Sequence, residues 1–437
     1  MNLRTSAALF LRSDAHDSDN PFNGDLFDRR NLAAHLTGYL NRLPHGGVIA
    51  IDAAWGDGKT WFVQNWRDYL IKEDISTIYL DAFARDYVDD PFVMISGELL
   101  NSFENIKETT KKKFTKKAIE VMKVVGEPAI KTLGAVAGAA FGINALGAYA
   151  DIAKAIQDGT TSAINDAIKK RIIDYEKEKS SIESFKTTLS ELVQECGGQI
   201  VLIIDELDRC RPDFSVKTIE RIKHFFDVPG VVFVLAVNYS QLAASIKGVY
   251  GESIDAVAYL GKFIQLSLTL PKLTGNGALD HNRMFLETCL ARIGLNGSDG
   301  IEFATALAHF AKFFGMPLRD MERAVSLYSL AQPMRIGSMA IAFPIALKLA
   351  RPSIYSSILR GDIDGVRQAI KILEAIKRTE SSELVHGLLQ AHQLFEVDQP
   401  SVLDNEGMAV YQAMGGPGRR AKDVIMYFYS RVDFPIK

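Results

Sequence analysis

AAWGDGKT, residues 53–60, approaches the phosphate-binding pattern G-x-x-x-x-G-K-[ST], but Ala53 stands where the pattern opens with glycine. The flanks decide how it reads. Residues 48–52, VIAID, follow Gly46 and Gly47 and form a short apolar run suited to a buried parallel strand. Residues 60–70 place Phe62, Val63, Trp66 and Leu70 at helical spacing, so the loop joins a strand to a helix. In that setting the backbone N–H groups from Trp55 to Thr60 and the positive end of the helix would surround a phosphate. Lys59 would reach the β- and γ-phosphates and Thr60 would bind Mg²⁺. Ala54, Trp55, Gly56, Asp57, Gly58 and Trp61 complete the candidate nucleotide-binding set. The plain alternative is a glycine-rich turn ahead of a helix. The first glycine of the pattern serves a turn rather than phosphate chemistry, so alanine fits at 53 if its φ is negative.

A second motif narrows the reading. Residues 199–209, QIVLIIDELDR, form an apolar strand ending in acidic residues, the form of a Walker B strand. Asp205 would hold Mg²⁺, directly or through water, and Glu206 would polarise the water that attacks a γ-phosphate. Acidic residues after a strand also cap helices, a role open to Asp208. Residues 77–80 and 231–237 read as further buried strands. The second ends at Asn238, placed either to face the γ-phosphate or attacking water, or to start a turn. Strands separated by helical segments imply an α/β fold, with a mostly parallel sheet covered on both faces.

The 437 residues suffice for two or three domains. A net charge of −3 leaves no global basic field for nucleic acid, so any polyanion contact is local. Cys196, Cys210 and Cys289 are far apart and form no C-x-x-C pair, which suggests neither a zinc site nor a disulfide framework. A reducing, cytoplasmic compartment is the simpler reading. Residues 1–20 lack the sustained apolar run of a cleaved secretory signal.

Taken together, these motifs resemble the KAP family of P-loop NTPases. The resemblance rests on Trp55 inside the phosphate loop, YLDAFARDYVDDPF at 79–92, IDELDRC at 204–210, FVLAVNYSQL at 233–242, and YLGKFIQ at 259–265 with a proline beyond. It covers roughly residues 20–330. It implies an ATPase core using ATP and Mg²⁺, with Glu206 as the catalytic glutamate, and a C-terminal helical lid. It also implies a large insertion between the two Walker motifs, often membrane-associated, and in many bacterial members a link to defence against phages or plasmids. Two positions depart from the family: Ala53, and Asn238 where aspartate is frequent, which bears on that residue's role alone.

Lys59 and Asp205 lie 146 residues apart, whereas one or two βα units need about 30 residues each, so a segment has been inserted. From about 100 to 190 there is no strand-like run, and the composition predicts an α-helical insertion. Within it, residues 132–150 are 19 positions without a charge, close to the ~20 of a transmembrane helix. Residues 107–123 hold seven lysines and two glutamates, a flank suited to anionic lipid or, alternatively, to nucleic-acid phosphates. A single crossing would part the two nucleotide motifs, and residues 151–159 are too polar for a return pass. Gly134, Gly138 and Gly142 form a small-residue stripe that permits close helix packing. Two readings stand: a soluble insertion packing on itself or on a sister subunit of a homo-oligomer, and a segment that meets the surface of the inner membrane.

Arg209 would either reach a neighbouring subunit's γ-phosphate or pair with Asp205 or Asp208. In GMPLRDMERA, residues 315–324, Pro317 opens a helix with Arg319 in its first turn. That arginine resembles the lid residue touching the γ-phosphate in related ATPases; a surface salt bridge to Asp320 or Glu322 is the bland alternative. The candidate catalytic set is thus Glu206, Lys59, Asn238, Arg319 and Arg209, with Thr60 and Asp205 as metal ligands. From about 280 amphipathic helices dominate, and His386 and His392 read as ordinary surface or helix histidines. No nuclease or peptidase constellation appears, so destructive chemistry would fall to a partner effector protein. The expected organisation is a P-loop core (1–98 and 191–275) interrupted by a helical insertion (99–190), then a helical lid (276–350) and a C-terminal helical region (351–437).

Overall fold

The computed structural model describes residues 17–43, 45–102, 106–125, 161–271, 276–331, 337–379, 382–397, 399–416 and 418–433, without the side chains of 124–125, 161–172 and 276–278. The uncharged stretch 132–150, its glycine stripe and the segment 151–159 lie outside the described residues, as does most of the N-terminal stretch.

One sheet holds five strands: β1 (Gly47–Asp52), β2 (Ser76–Asp81), β3 (Ile200–Asp205), β4 (Val231–Val237) and β5 (Leu266–Thr269). Their order is β2-β3-β4-β1-β5 and every pairing is parallel. β3 and β4 are buried at every position. A strand covered on both faces must be apolar at consecutive positions, which is why these two were plain in the sequence. β5 was not expected; its four residues, LSLT, alternate between half-buried and exposed, as an edge strand does.

Successive residues of a strand serve opposite faces. One face of the sheet, with Ile49, Ile51, Val201, Ile203, Val232 and Val234, is covered by α1 (Arg29–Leu40) and α2 (Lys59–Lys72). The helical spacing read in α2 is the buried stripe: Phe62, Val63, Trp66 and Leu70 are all fully buried. The opposite face carries α3 (Pro91–Asn101), α4 (Glu108–Val125), α5 (Thr161–Glu195), α6 (Pro212–Phe225), α7 (Tyr239–Tyr250) and α8 (Ala256–Leu260). Asp90 caps α3 by accepting the Phe92 N–H at 2.9 Å. The same carboxylate accepts Arg221 Nε at 3.1 Å and Nη2 at 2.8 Å, fixing α3 to α6.

Between β2 and β3 the described residues contain no strand. α4 lies along α5, with the Phe114 and Phe185 rings 5.1 Å apart and Lys113 2.6 Å from Glu191. α5 has 35 residues, about 50 Å of helix, and runs unbroken to Glu195, past the limit expected at 190. No helix among the described residues is long and apolar enough to cross a membrane.

The chain continues as α9 (Asn276–Arg292), α10 (Ser298–Phe314), α11 (Leu318–Ala331), α12 (Ser338–Ala350), α13 (Pro352–Leu359), α14 (Ile363–Thr379), α15 (Glu383–Val397), α16 (Asn405–Ala413) and α17 (Ala421–Ser430). Leu286, Phe303, Tyr328, Phe343, Leu388 and Phe428 belong to one hydrophobic core. The lid and the C-terminal region, expected to part at 350, are therefore one packed helical body. Amphipathic periodicity shows that a helix buries a face, not which helix covers it. His392 lies in a helix, one of the two alternatives expected for it, but is wholly enclosed in this body rather than at the surface. His386 is partly exposed and lies 2.8 Å from Asp404.

Candidate nucleotide-binding site

β1, β3 and β4 end level with one another: Asp52 pairs with Val237, and Asp205 with Ala236. The loop leaving β1 turns at Gly56 (φ 88°) and Gly58 (φ 81°), the left-handed region that glycine occupies without strain. A Cβ on Gly56 would lie 2.8 Å from Arg319 Cβ, and one on Gly58 2.6 Å from Arg29 Nη1. Ala53 has a negative φ and donates its N–H to Val237 O at 3.2 Å, so the missing glycine leaves the turn intact.

α2 starts at Lys59, whose ammonium donates to Ala53 O at 2.6 Å and Ala54 O at 3.3 Å. Burial lowers its pKa, and the carboxylates of Asp208, Asp205 and Asp57 act against that shift. Asp205, 1% exposed, accepts the Tyr79 hydroxyl at 3.0 Å and the Glu206 N–H at 2.8 Å, and hydrogen-bonds the Thr60 side chain. Burial raises its pKa, while these bonds and Lys59 lower it. The two expected metal ligands, Thr60 and Asp205, are thus brought together.

Glu206 takes a left-handed φ of 59°, at a cost of about 1 kcal/mol for a residue with a side chain. Its carboxylate lies 2.8 Å from Arg209 Nη1. Of the two roles open to Arg209, reaching a neighbouring subunit's γ-phosphate or pairing with Asp205 or Asp208, the second is corrected: it meets Glu206, because the 3₁₀ turn Leu207–Arg209 sets positions three apart on the same side. Burial raises the Glu206 pKa, and Arg209 opposes the rise. Asp208 caps no helix. It is buried and accepts the Trp55 indole N–H at 2.5 Å, joining the phosphate loop to the Walker B turn.

Asn238 lies one residue beyond β4, between the β1 and β3 ends, and its Oδ1 accepts Ser240 Oγ at 2.7 Å and the Gln241 N–H at 3.3 Å. It caps α7. Arg319 is exposed in the first turn of α11, and its backbone N–H donates to Gly56 O at 3.1 Å, docking the helical body on the phosphate loop. The neighbouring salt bridge joins Asp320 to Arg323 at 3.1 Å. Trp61 packs edge-on against Phe22, ring centroids 5.7 Å apart.

Tyr79 and Arg29 carry no role in the sequence reading, and Asp208 carries a different one from that seen here. Tyr79 sits on β2 in register with Ile203, which brings its hydroxyl to Asp205; it lay inside a quoted motif without a role. Asp208 is open in the sequence to capping a helix or pairing with Arg209, and instead receives Trp55. Arg29 carried no local signal, because its partners lie 28 and 29 residues away.

A cradle of left-handed glycines ahead of a helix, a buried lysine, and a hydroxyl bonded to a buried carboxylate fit a nucleoside triphosphate with Mg²⁺. A parallel sheet that presents such a loop and such an acidic strand at one edge places the chain among the P-loop NTPases. The model of the KAP family P-loop domain matches residues 29–327, and the chain belongs to that family. Among solved structures it is similar to the Walker-type ATPase paby2304 of Pyrococcus abyssi (12% identity, 96% of this chain and 99% of that one, TM-score 0.37). It is also similar to the Aeropyrum pernix ORC2 protein in its ADPNP-ADP complexes (12% identity, 93% and 94% covered, TM-score 0.37). No curated protein matches the sequence.

Proposed function

We propose that the protein is an ATP hydrolase whose turnover moves the helical body and alters contacts with partners. The observation that carries the reading is the meeting of Thr60, Asp205 and Glu206, from motifs far apart in the chain, at one sheet edge beside the buried Lys59. When bound, Mg²⁺ would neutralise phosphate charge and orient the γ-phosphoryl group. Lys59, now spent on the carbonyls of Ala53 and Ala54, supplies its charge to the phosphates. Arg209 holds one oxygen of Glu206, which leaves the other to orient water, and a parting of the pair would free the guanidinium for phosphate charge. The hydrogen bond between Arg319 and Gly56 carries any change in the loop straight into α11.

We place this work in the cytoplasm, as the three scattered cysteines suggest, in a homo-oligomer or with effector partners; the part in bacterial defence against phages or plasmids rests on the family resemblance alone. A groove of about 670 Å³, where Lys111, Lys112, Lys116 and Lys123 outnumber Glu108 and Glu120, is the candidate contact with an anionic membrane surface, tested by flotation with anionic liposomes. Phosphate release by wild type and Glu206→Gln tests the enzyme reading. We expect a loss of about 100-fold or more in the variant. Equal, negligible turnover in both would leave a non-hydrolysing nucleotide switch.

A further inference from the structure

Arg29 opens α1 and is 4% exposed. Its Nη2 donates to Asp57 O at 2.6 Å and its Nη1 to Gly58 O at 3.2 Å. The guanidinium carbon lies 5.1 Å from the Phe27 ring centroid and 5.9 Å from that of Trp61, so aromatic faces hold the cation in place. Gly58 is tied to this arrangement twice over, by its φ of 81° and by the 2.6 Å that would separate an added Cβ from Nη1.

The geometry has a consequence for the amides. In a trans peptide unit the carbonyl and the N–H point in opposite directions. The carbonyls of Asp57 and Gly58 face Arg29, so the N–H groups that share their peptide units, those of Gly58 and Lys59, face away from it. The Gly58 carbonyl also accepts the Phe62 N–H at 3.0 Å as the first bond of α2, so the Lys59 N–H of that peptide unit points out of the helix N-terminus, where a phosphate would sit. A full positive charge behind two aligned peptide dipoles also strengthens their pull on an anion.

We propose that Arg29 is a positioning residue for the nucleotide: one guanidinium clamps two peptide units of the phosphate loop and so aims the Gly58 and Lys59 amides at the bound phosphates. This rests on the reading that the loop binds MgATP. Lysine at this position keeps a charge but lacks the planar fork that spans two carbonyls; glutamine keeps a single amide NH₂ and no charge.

The test uses the full chain with Arg29→Lys and Arg29→Gln. Thermal unfolding without nucleotide reports folding. MgATP affinity is read from intrinsic fluorescence, which suits this site because all three tryptophans, Trp55, Trp61 and Trp66, lie in the loop and α2. Steady-state phosphate release separates KM from kcat. For a variant that folds with near-native unliganded stability, we expect MgATP binding weakened by about tenfold or more, KM raised in step, and kcat at saturation nearly unchanged. Wild-type affinity in both variants would overturn the proposal, as would failure of both to fold without nucleotide, which would make Arg29 a tie between α1 and the loop. A wild-type chain that binds no MgATP would overturn the ATPase reading as well, so the two failures are told apart.

Discussion

α15 carries His392 into the helical core, where none of it reaches solvent. Nδ1–H donates to Leu388 O at 2.7 Å, and Nε2, 2.8 Å from the Tyr429 hydroxyl, accepts from it. A carbonyl can only accept, so Nδ1 carries the proton, and burial, which disfavours the charged ring, leaves Nε2 to accept from the hydroxyl. The Phe343 ring closes the site edge-on at 5.6 Å. Burial lowers the imidazole pKa from 6.5 to about 4. Between those values the unfolded chain takes up a proton that the folded chain refuses, so acid favours unfolding. The stability is fully present above pH 6.5 and is lost as the pH falls towards 4. At about 1.4 kcal/mol per pKa unit the full loss is about 3 kcal/mol, of which about 2 kcal/mol is reached at pH 5. Glu322 works the other way: burial raises its carboxyl to about 7, so acid relieves a penalty there. Comparing wild type with His392→Gln removes that effect, since both chains carry Glu322 and glutamine keeps a donor and an acceptor without titrating. Urea unfolding followed by helical circular dichroism at pH 7.5 and 5 should show wild type losing about 2 kcal/mol relative to the variant. A stability difference that is the same at both pH values would refute the buried neutral ring.

Asp90→Ala removes three hydrogen bonds and strands the buried Arg221 charge, at about 3–5 kcal/mol, whereas the double variant Asp90→Ala with Arg221→Met should cost less. Urea unfolding decides, and a double variant as unstable as the single one would contradict the pairing. Gly56→Ala places a Cβ 2.8 Å from Arg319 Cβ at a φ of 88°, so it should cost about 1–3 kcal/mol and weaken MgATP binding through the contact with α11. A wild-type Tm with wild-type affinity would show that the lid does not press on the loop.

How much of this was legible follows from where each signal resides. β3 and β4 stand out because burial on both faces forces unbroken apolar runs, and the phosphate loop because its chemistry needs glycine, lysine and threonine at fixed spacing. The edge strand β5 is short and alternates, so its four residues resemble a loop. Arg29 was invisible, since an arginine at the start of a helix is usually solvated and nothing nearby in sequence marks its partners. Arg209, open in the sequence to a neighbour's γ-phosphate or to an aspartate, meets Glu206 because of the 3₁₀ turn. The helices beyond 280 showed their apolar faces but not the single core those faces share, and with it the burial of His392.

The central claim is that the edge carrying Lys59, Thr60, Asp205 and Glu206 binds MgATP. Calorimetric titration of MgATP into wild type and Lys59→Ala tests it most directly: the account predicts one saturable site in the wild type and binding weakened by about 100-fold or more in the variant. Equal binding by the two proteins, or no binding by the wild type, would contradict it.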